Sequence, residues 1–595
     1  MKKKQTNPQA LPKGSFKTSM KKLLIYSKKQ WALMLIAILL GAISVVFQIL
    51  GPIKIKDITN IITNGVMAGE VDVEGVIKIA LFLLTIYLIG LLLGYLQNYL
   101  STVVTQKIAK RLRGDISKKI NVLPLNYFDN HQYGDILSRV TNDVDTIGQS
   151  MDESIAGLFS NILLFVGVLI AMFVTEWILA LTVIATTILG FGFSMIFMTK
   201  AQKYFVQNQQ NIGELNAHIE ENYSGHNVVS LFNAQETNGK EFNSVNKKLL
   251  NSGRKSQFIS GVMMPIMGFV GNFGYVAVCI VGAILASKRG VGYIGVISAF
   301  MIYVRLFSNP LSQIAQSLTR LQSTSAASLR VFEFLEEKEM PDESNKADQK
   351  IKVKGDVSFE HVKFGYNEDQ VIIKDFSADV KAGQKVAIVG PTGAGKTTLV
   401  NLLMRFYEIN DGDIKVDGVS TKNMRRSDVH AMFGMVLQDT WLFQGTIKEN
   451  LRYNNLSATD EQIVEACKQV GVDHFIQTLP EGYNTMVDDS INLSAGQKQL
   501  LTIARTMIEN RPMMILDEAT SSVDTRTEIL LQQAMDKVME GRTSFIIAHR
   551  LSTIKNSDKI FVLKDGDIVE SGNHEELLEK GGFYAELYNS QFEEE

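Results

Sequence analysis

A chain of 595 residues is too long for one hydrophobic core and implies at least two domains. Its 46 % hydrophobic content averages an apolar first half with a polar second half, and a net charge of −2 gives no sign of a nucleic-acid partner. Two cysteines, Cys279 and Cys467, one in each half, exclude a cysteine zinc site and a disulfide framework, so both read as small hydrophobes without metal or redox chemistry.

Residues 1–30 carry nine lysines and no acid. The apolar run that follows is too long for a signal-peptide core, so this arm reads as a cytoplasmic N-terminus fixed by the excess of positive charge. Crossing the hydrocarbon layer takes about 20 apolar residues. Uncharged runs of that kind are Trp31–Ile53, Ile79–Gln106, Ile155–Thr175, Trp177–Thr199 and Phe258–Ser287, with a sixth from Gly290 to Val304 that continues past Arg305 through Leu306, Phe307 and Leu311. Six spans return both termini to the cytoplasmic side. The outer turns at Glu176 and Lys288–Arg289 are short, and the last mildly breaks the positive-inside pattern.

The inner loops 107–153 and 200–255 are too long for connectors. Their helical spacing predicts membrane helices that continue into the cytoplasm, turn and return, with tips near Arg113–Pro124 and Glu220–Phe232, where Pro124 and Gly225 break the helix. These tips are placed to rest on a cytoplasmic domain. No span contains Asp or Glu, which argues against a proton relay. Arg305 either lines a cavity or reaches for the inner headgroups. Phe47, Phe165, Tyr275, Phe300, Tyr303, Phe307, Met263, Met264, Met267 and Met301 are candidates for a permissive apolar pocket, against the alternative of ordinary packing.

A helical stretch to Leu335 runs into a polar linker at 336–352, and an α/β pattern follows from Val353. There GPTGAGKTT, Gly390–Thr398, lies between the buried strand VAIVG and the amphipathic TTLVNLLM. Gly390, Pro391, Thr392, Gly393, Ala394 and Gly395 thus form a strand-to-helix turn whose N–H groups can wrap phosphates at a helix N-terminus. Lys396 would reach the terminal phosphates of ATP, Thr397 would offer a hydroxyl to Mg²⁺, and Thr398 completes the motif. Asp517 ends the apolar strand MMIL and suits Mg²⁺, while Glu518 can orient or deprotonate the attacking water. Gln438 can sense the γ-phosphate or the metal. His549, after a second apolar strand, can contact the γ-phosphate, and Tyr366 offers a ring to adenine.

These residues resemble the ATP-binding cassette family, and nearly the whole chain is similar to its exporter branch. The resemblance implies a multi-domain chain: an all-α polytopic membrane domain (31–335, six transmembrane helices with long cytoplasmic extensions, after the basic arm 1–30) and an α/β P-loop nucleotide-binding domain (353–595). It makes Gln438 the Q-loop, Leu493, Ser494, Ala495, Gly496 and Gln497 the signature facing a partner's ATP, Ser521, Ser522, Val523 and Asp524 the D-loop, and His549 the switch histidine. The segments Pro124–Asp145 and ELNAHIEENYSGHNVVSLFNAQE resemble the branch's two intracellular loops. One cassette per chain implies a dimer, because each ATP lies between two cassettes.

The signature departs from the family, reading LSAGQ where LSGGQ is usual, and TMVDDSIN before it lacks the common Gly-Glu pattern. Ala495 adds a methyl where close backbone approach is expected. A complete hydrolytic set beside an altered signature resembles one subunit of a heterodimeric bacterial multidrug exporter, the alternative being a homodimer that tolerates the methyl. The expected cargo is hydrophobic or amphipathic small molecules, taken from a lipid environment across the bacterial cytoplasmic membrane. A flippase for lipids or lipid-linked sugars would want more basic residues at membrane depth than Arg305. A gated channel or regulatory ATPase would not need Asp517, Glu518 and His549 together.

Overall fold

A computed structural model describes residues 15–346, 353–367, 370–438, 440–488, 491, 493–517, 524–547 and 554–592, and divides them into two compact units. The first unit holds residues 1–121 and 133–337, the second 122–132 and 338–595.

The first unit is helical: α1 (Ser15–Tyr26), α2 (Trp31–Ala68), α3 (Val73–Val122), then, beyond α4 (Leu125–Asp129, in the second unit), α5 (Tyr133–Ser138), α6 (Val144–Thr175), α7 (Trp177–Ser224), α8 (His226–Leu231), α9 (Gln235–Arg289) and α10 (Ile294–Glu336). Among the described residues six helices are long and apolar enough to cross a membrane. α10 packs on α6 and α2, and α7 packs chiefly on α9. Phe300, Tyr303 and Phe307 of α10 are buried against Val168 and Met172 of α6 and Leu179 and Val183 of α7, and Phe165 stacks on Phe307 at 4.9 Å. These aromatics are therefore core, which corrects their candidacy as pocket lining. Met301 and Tyr275 remain partly accessible, and the Arg305 guanidinium lies 5.4 Å from the Tyr275 ring centre. The side chains of Met263, Met264 and Met267 lie outside the described residues.

Two buried carboxylates tie distant helices together. Glu176 caps α7 by accepting from the Ile178 N–H and pairs with Arg289, so the basic outer turn is partly neutralised. Asp143 ends a π-helical turn, Arg139–Asp143, and receives both Nε (2.8 Å) and a terminal nitrogen of Arg330 on α10. Such a two-pronged guanidinium–carboxylate pair fixes orientation as well as charge.

The first cytoplasmic tip turns at Pro124, at the far end of the expected stretch. α3 stays helical to Val122, well past Arg113, because Arg113 pairs with Asp145 and the Lys119 ammonium donates to the Glu337 carbonyl at 2.6 Å. Only Pro124, extended at φ −67° and ψ 151°, ends it. The tip, residues 122–132, falls in the second unit, where Tyr407 donates to Asp129. Burial and that carboxylate push the Tyr407 phenol well above its ordinary pKa. The second tip turns at Gly225 as the sequence suggests, leaving Tyr223, Leu231 and Phe232 exposed.

In the second unit a four-stranded antiparallel sheet, in the order β2 (Ile373–Val380), β1 (Val357–Phe364), β4 (Asp411–Val416), β5 (Val419–Ser420), adjoins a six-stranded one. The latter runs β12 (Asp567–Gly572), β11 (Lys559–Lys564), β3 (Lys385–Val389), β10 (Thr543–Ile547), β9 (Met513–Asp517), β6 (Phe433–Val436), parallel except for β12. Both faces are covered. Successive residues of β3 alternate between two cores, Val386 and Ile388 on one side, Ala387 and Val389 on the other. Helices α11 (Lys396–Leu403), α12 (Arg426–Met432), α13 (Ile447–Arg452), α14 (Asp460–Val470), α15 (Asp473–Thr478), α16 (Ala495–Glu509) and α17 (Thr525–Met539) complete the unit with the short pair β7 (Gly445–Thr446) and β8 (Met486–Val487). Cys467 is buried on α14, its thiol pushed up to about 12 by burial, whereas Cys279 is exposed on α9.

The segment read as a polar linker is partly fixed. Glu343 accepts from Arg405 (2.7 Å), the Arg426 backbone N–H (2.7 Å) and Lys346 (3.0 Å). Burial alone would raise its pKa, but these donors outweigh it and hold the carboxyl below its usual value. A carboxyl lowered in the folded state stabilises above its unfolded pKa, near 4, and loses that contribution as pH falls through the folded value. Glu343→Ala removes one of the two carboxylates on buried Arg405, Glu408 remaining at 3.0 Å, and is expected to destabilise the second unit by about 2 kcal/mol. A thermal melt at neutral pH checks this, and the gap from wild type should shrink as the pH is taken below about 4.

Candidate functional site

Parallel strands place their carboxyl ends on one edge, and the loops that leave that edge are where α/β proteins bind ligands. Here β3, β10, β9 and β6 are adjacent in that order, so the chain leaves the same edge after Val389, Ile547, Asp517 and Val436, with Gly390 and Gln438 just beyond. Ile547 is paired with Ile388 on one side and Asp517 on the other. The phosphate loop thus begins two residues beyond the level of Asp517, about 10 Å away across two strand spacings.

The glycines serve separate purposes. A Cβ at Gly390 would stand 2.3 Å from the Leu563 carbonyl oxygen, so only glycine lets the loop leave the sheet there. Gly393 and Gly395 sit at φ +86° and +100°, with open space within 4 Å of where a Cβ of Gly393 would stand. The Lys396 ammonium bends back over the loop to the carbonyls of Gly390 (2.7 Å) and Pro391 (3.2 Å). Burial lowers its pKa, and the nearby Asp517 carboxylate partly restores it. Thr397 is exposed on the first turn of α11, while Thr398 is buried with its hydroxyl 3.2 Å from the Tyr366 hydroxyl. Tyr366 packs edge-on against Phe364 and Tyr407, with centroids 5.0 and 5.1 Å away. Tyr407 had no motif to announce it, since its neighbours come from distant strands.

The LSAGQ segment opens α16 as a capping box. The Gln497 N–H bonds the Ser494 hydroxyl (3.2 Å), and the Ser494 N–H bonds the Gln497 side chain (2.9 Å). Leu493 and Gly496 are buried, whereas Ala495 is exposed at the first helical position, where a methyl introduces no backbone strain. Asp524 caps α17 through the Thr527 N–H (3.1 Å), and Thr527 holds its carboxyl below the usual range. Gln438 is exposed just after β6. Glu518, Ser521, Ser522, Val523 and His549 lie outside the described residues.

Residues 34–311 match the family model of the ABC transporter transmembrane region, and residues 373–521 match that of the ABC transporter. The chain is 45 % identical, over 88 % of its length and 83 % of the relative, to a fatty acid ABC transporter ATP-binding/permease protein of Mycobacterium bovis. It is 39 % identical, over 97 % of its length and 95 % of the relative, to the uncharacterized ABC transporter ATP-binding protein YfiC of Bacillus subtilis. It is 34 % identical, over 84 % of its length and 74 % of the relative, to the probable multidrug resistance ABC transporter ATP-binding/permease protein YheH of the same organism. With apolar spans in one unit and a phosphate loop at the sheet edge of the other, the chain belongs to the ABC transporter family, as a multi-pass half-transporter of the kind that dimerises and whose ATPase is coupled to transport.

Proposed function

We propose that this protein exports hydrophobic or amphipathic compounds across a bacterial cytoplasmic membrane by ATP-driven alternating access, as one half of a heterodimer. The observation that carries this reading is an asymmetry within the chain. The phosphate loop, Lys396 and Asp517 are intact, while the signature carries Ala495. Multidrug cargo is suggested by the acid-free spans and the name of one Bacillus relative. The name of the mycobacterial relative adds amphipathic acids to the class.

In this reading Lys396 binds the β- and γ-phosphates, Gly390–Gly395 supply backbone N–H groups, and Tyr366 meets adenine. Thr397 and Asp517, with Gln438, would hold Mg²⁺. A hydroxyl and a carboxylate beside an open glycine cradle fit that ion, which usually takes one or two protein oxygens and completes its shell with phosphate and water. Bound there, it would supply charge neutralisation on the phosphates. Glu518 orients and deprotonates the attacking water, and His549 contacts the γ-phosphate. In this reading the N–H groups of Ala495 and Gly496, at the start of α16, meet the partner's nucleotide.

The test is the purified chain alone against the chain with a second half-transporter. Alone it should show little drug-stimulated ATPase, and stimulation should appear only in the mixed dimer. A stable homodimer with full stimulation sinks the heterodimer.

A further inference from the structure

Beyond their apolar stretches α7 and α9 continue side by side as a polar pair. Between them lies a cavity of about 220 Å³, lined by Gln207, Asn211, Lys248, Asn251, Ser252 and Lys255. Its floor is built. Asn211 donates to the Ser252 hydroxyl (2.8 Å) and the Lys248 carbonyl (3.2 Å), and Ser252 donates to the Leu249 carbonyl (3.1 Å). Asn211 and Ser252 are only 9 % and 4 % exposed, so these bonds fix the two backbones and hold the cavity's shape.

The rim offers donors and no acid. Lys248 shares its charge with Glu214 at 3.1 Å. Among the described residues Lys255 has no carboxylate within ion-pair distance, and the amides of Gln207 and Asn251 make no hydrogen bond. The Lys255 ammonium lies 5.6 Å from the ring centre of Tyr204, which stands one turn from Gln207 and two from Asn211 on α7. That attraction draws the charge across the cavity towards α7 instead of outward. Two ammonium groups repel a metal ion, whereas ammonium and amide N–H groups together suit an oxyanion.

Depth narrows the anion further. Lys255 stands three residues before the apolar run that begins at Phe258, about 4.5 Å by helical rise. The polar layer outside the hydrocarbon is about 5–7 Å deep on each side, so Lys255 lies at the level of lipid phosphates. Lys248 stands about 10 Å further out, where the cavity meets water. At about 30 Å³ for each water, the cavity has room for about seven, enough for a phosphate and a three-carbon head.

We propose that this cavity binds the phosphate of a glycerol phosphate head group. Lys255 and the Asn251 and Gln207 amides hold the phosphate, and the glycerol hydroxyls point along the cavity towards Lys248. The site concerns the surroundings of the transporter and not its cargo, so it does not rest on the export reading. A choline head would bring a third cation beside Lys255 and Lys248 and is disfavoured.

The test uses the full chain in neutral detergent and a phosphatidylglycerol probe with a diazirine beside its glycerol backbone, read by mass spectrometry of labelled peptides. Label is expected within residues 203–211 and 248–258, competed by phosphatidylglycerol about tenfold better than by phosphatidylcholine. Lys255→Gln should lower that label about tenfold and leave label elsewhere unchanged, while Lys255→Arg should retain it. That retention separates loss of charge from misfolding. Displacement by micromolar glycerol 3-phosphate names a soluble source for the phosphate, and its failure names the lipid; either upholds the site. Label that phosphatidylcholine competes equally, or that survives Lys255→Gln, marks annular lipid without head-group recognition and overturns the proposal. Absence of label from both stretches overturns it too.

Discussion

Glu518→Gln is expected to abolish ATP turnover and transport while ATP stays bound. β9 sets Asp517 at the sheet edge within electrostatic reach of Lys396, so Glu518 is the next group along the chain from the phosphates. Glutamine keeps the size and one acceptor oxygen while removing the negative charge and the base, so the phosphate loop and the oxygens proposed for the metal survive. Proton abstraction from the attacking water is lost, and each tenfold of rate corresponds to about 1.4 kcal/mol of barrier. The measurement is phosphate release by the dimer together with nucleotide retained through gel filtration. More than about a tenth of wild-type turnover assigns the base elsewhere.

Lys396→Ala should act one step earlier, on binding itself. The ammonium is held over the loop by two carbonyls, and burial disfavours its charge when no anion is nearby. A phosphate answers that cost, so its removal forfeits a charge-assisted hydrogen bond worth roughly 2 kcal/mol, or about 30-fold in affinity. Removing it also frees the Gly390 and Pro391 carbonyls, which loosens the loop. Calorimetric titration with ATP checks the effect, and an unchanged Kd would refute the role.

Much of this was legible because it is local. Twenty uncharged residues and a glycine turn between a buried strand and a helix each state their structure within a short window. The spans needed no partner from elsewhere in the chain. What escaped is long-range. Glu343 meets Arg405 and Arg426 far along the chain, and nothing in a polar linker with one proline marks such a pair. The aromatics of α10 were ambiguous because a membrane helix can bury the same side chains in protein, cavity or lipid. Only the packing of α6 and α7 decides for Phe300, Tyr303 and Phe307. The first tip turns at the far end of the expected stretch, at Pro124, the breaker that the sequence marks there.

Strand β10 carries no motif, yet it is the spacer that sets the distance between the two halves of the proposed catalytic machinery. Its five residues, Thr543–Ile547, are all buried, with Ser544–Ile547 paired to β3 on one flank and all five to β9 on the other. Neither neighbour touches the other directly, so the separation between the phosphate loop and Asp517 is inherited from the width of one strand rather than from any loop. A spacer of this kind is stiff, and it makes the gap insensitive to whatever occupies it. A polar substitution at Phe545 or Ile546 would therefore blunt ATP hydrolysis without touching a single nucleotide contact.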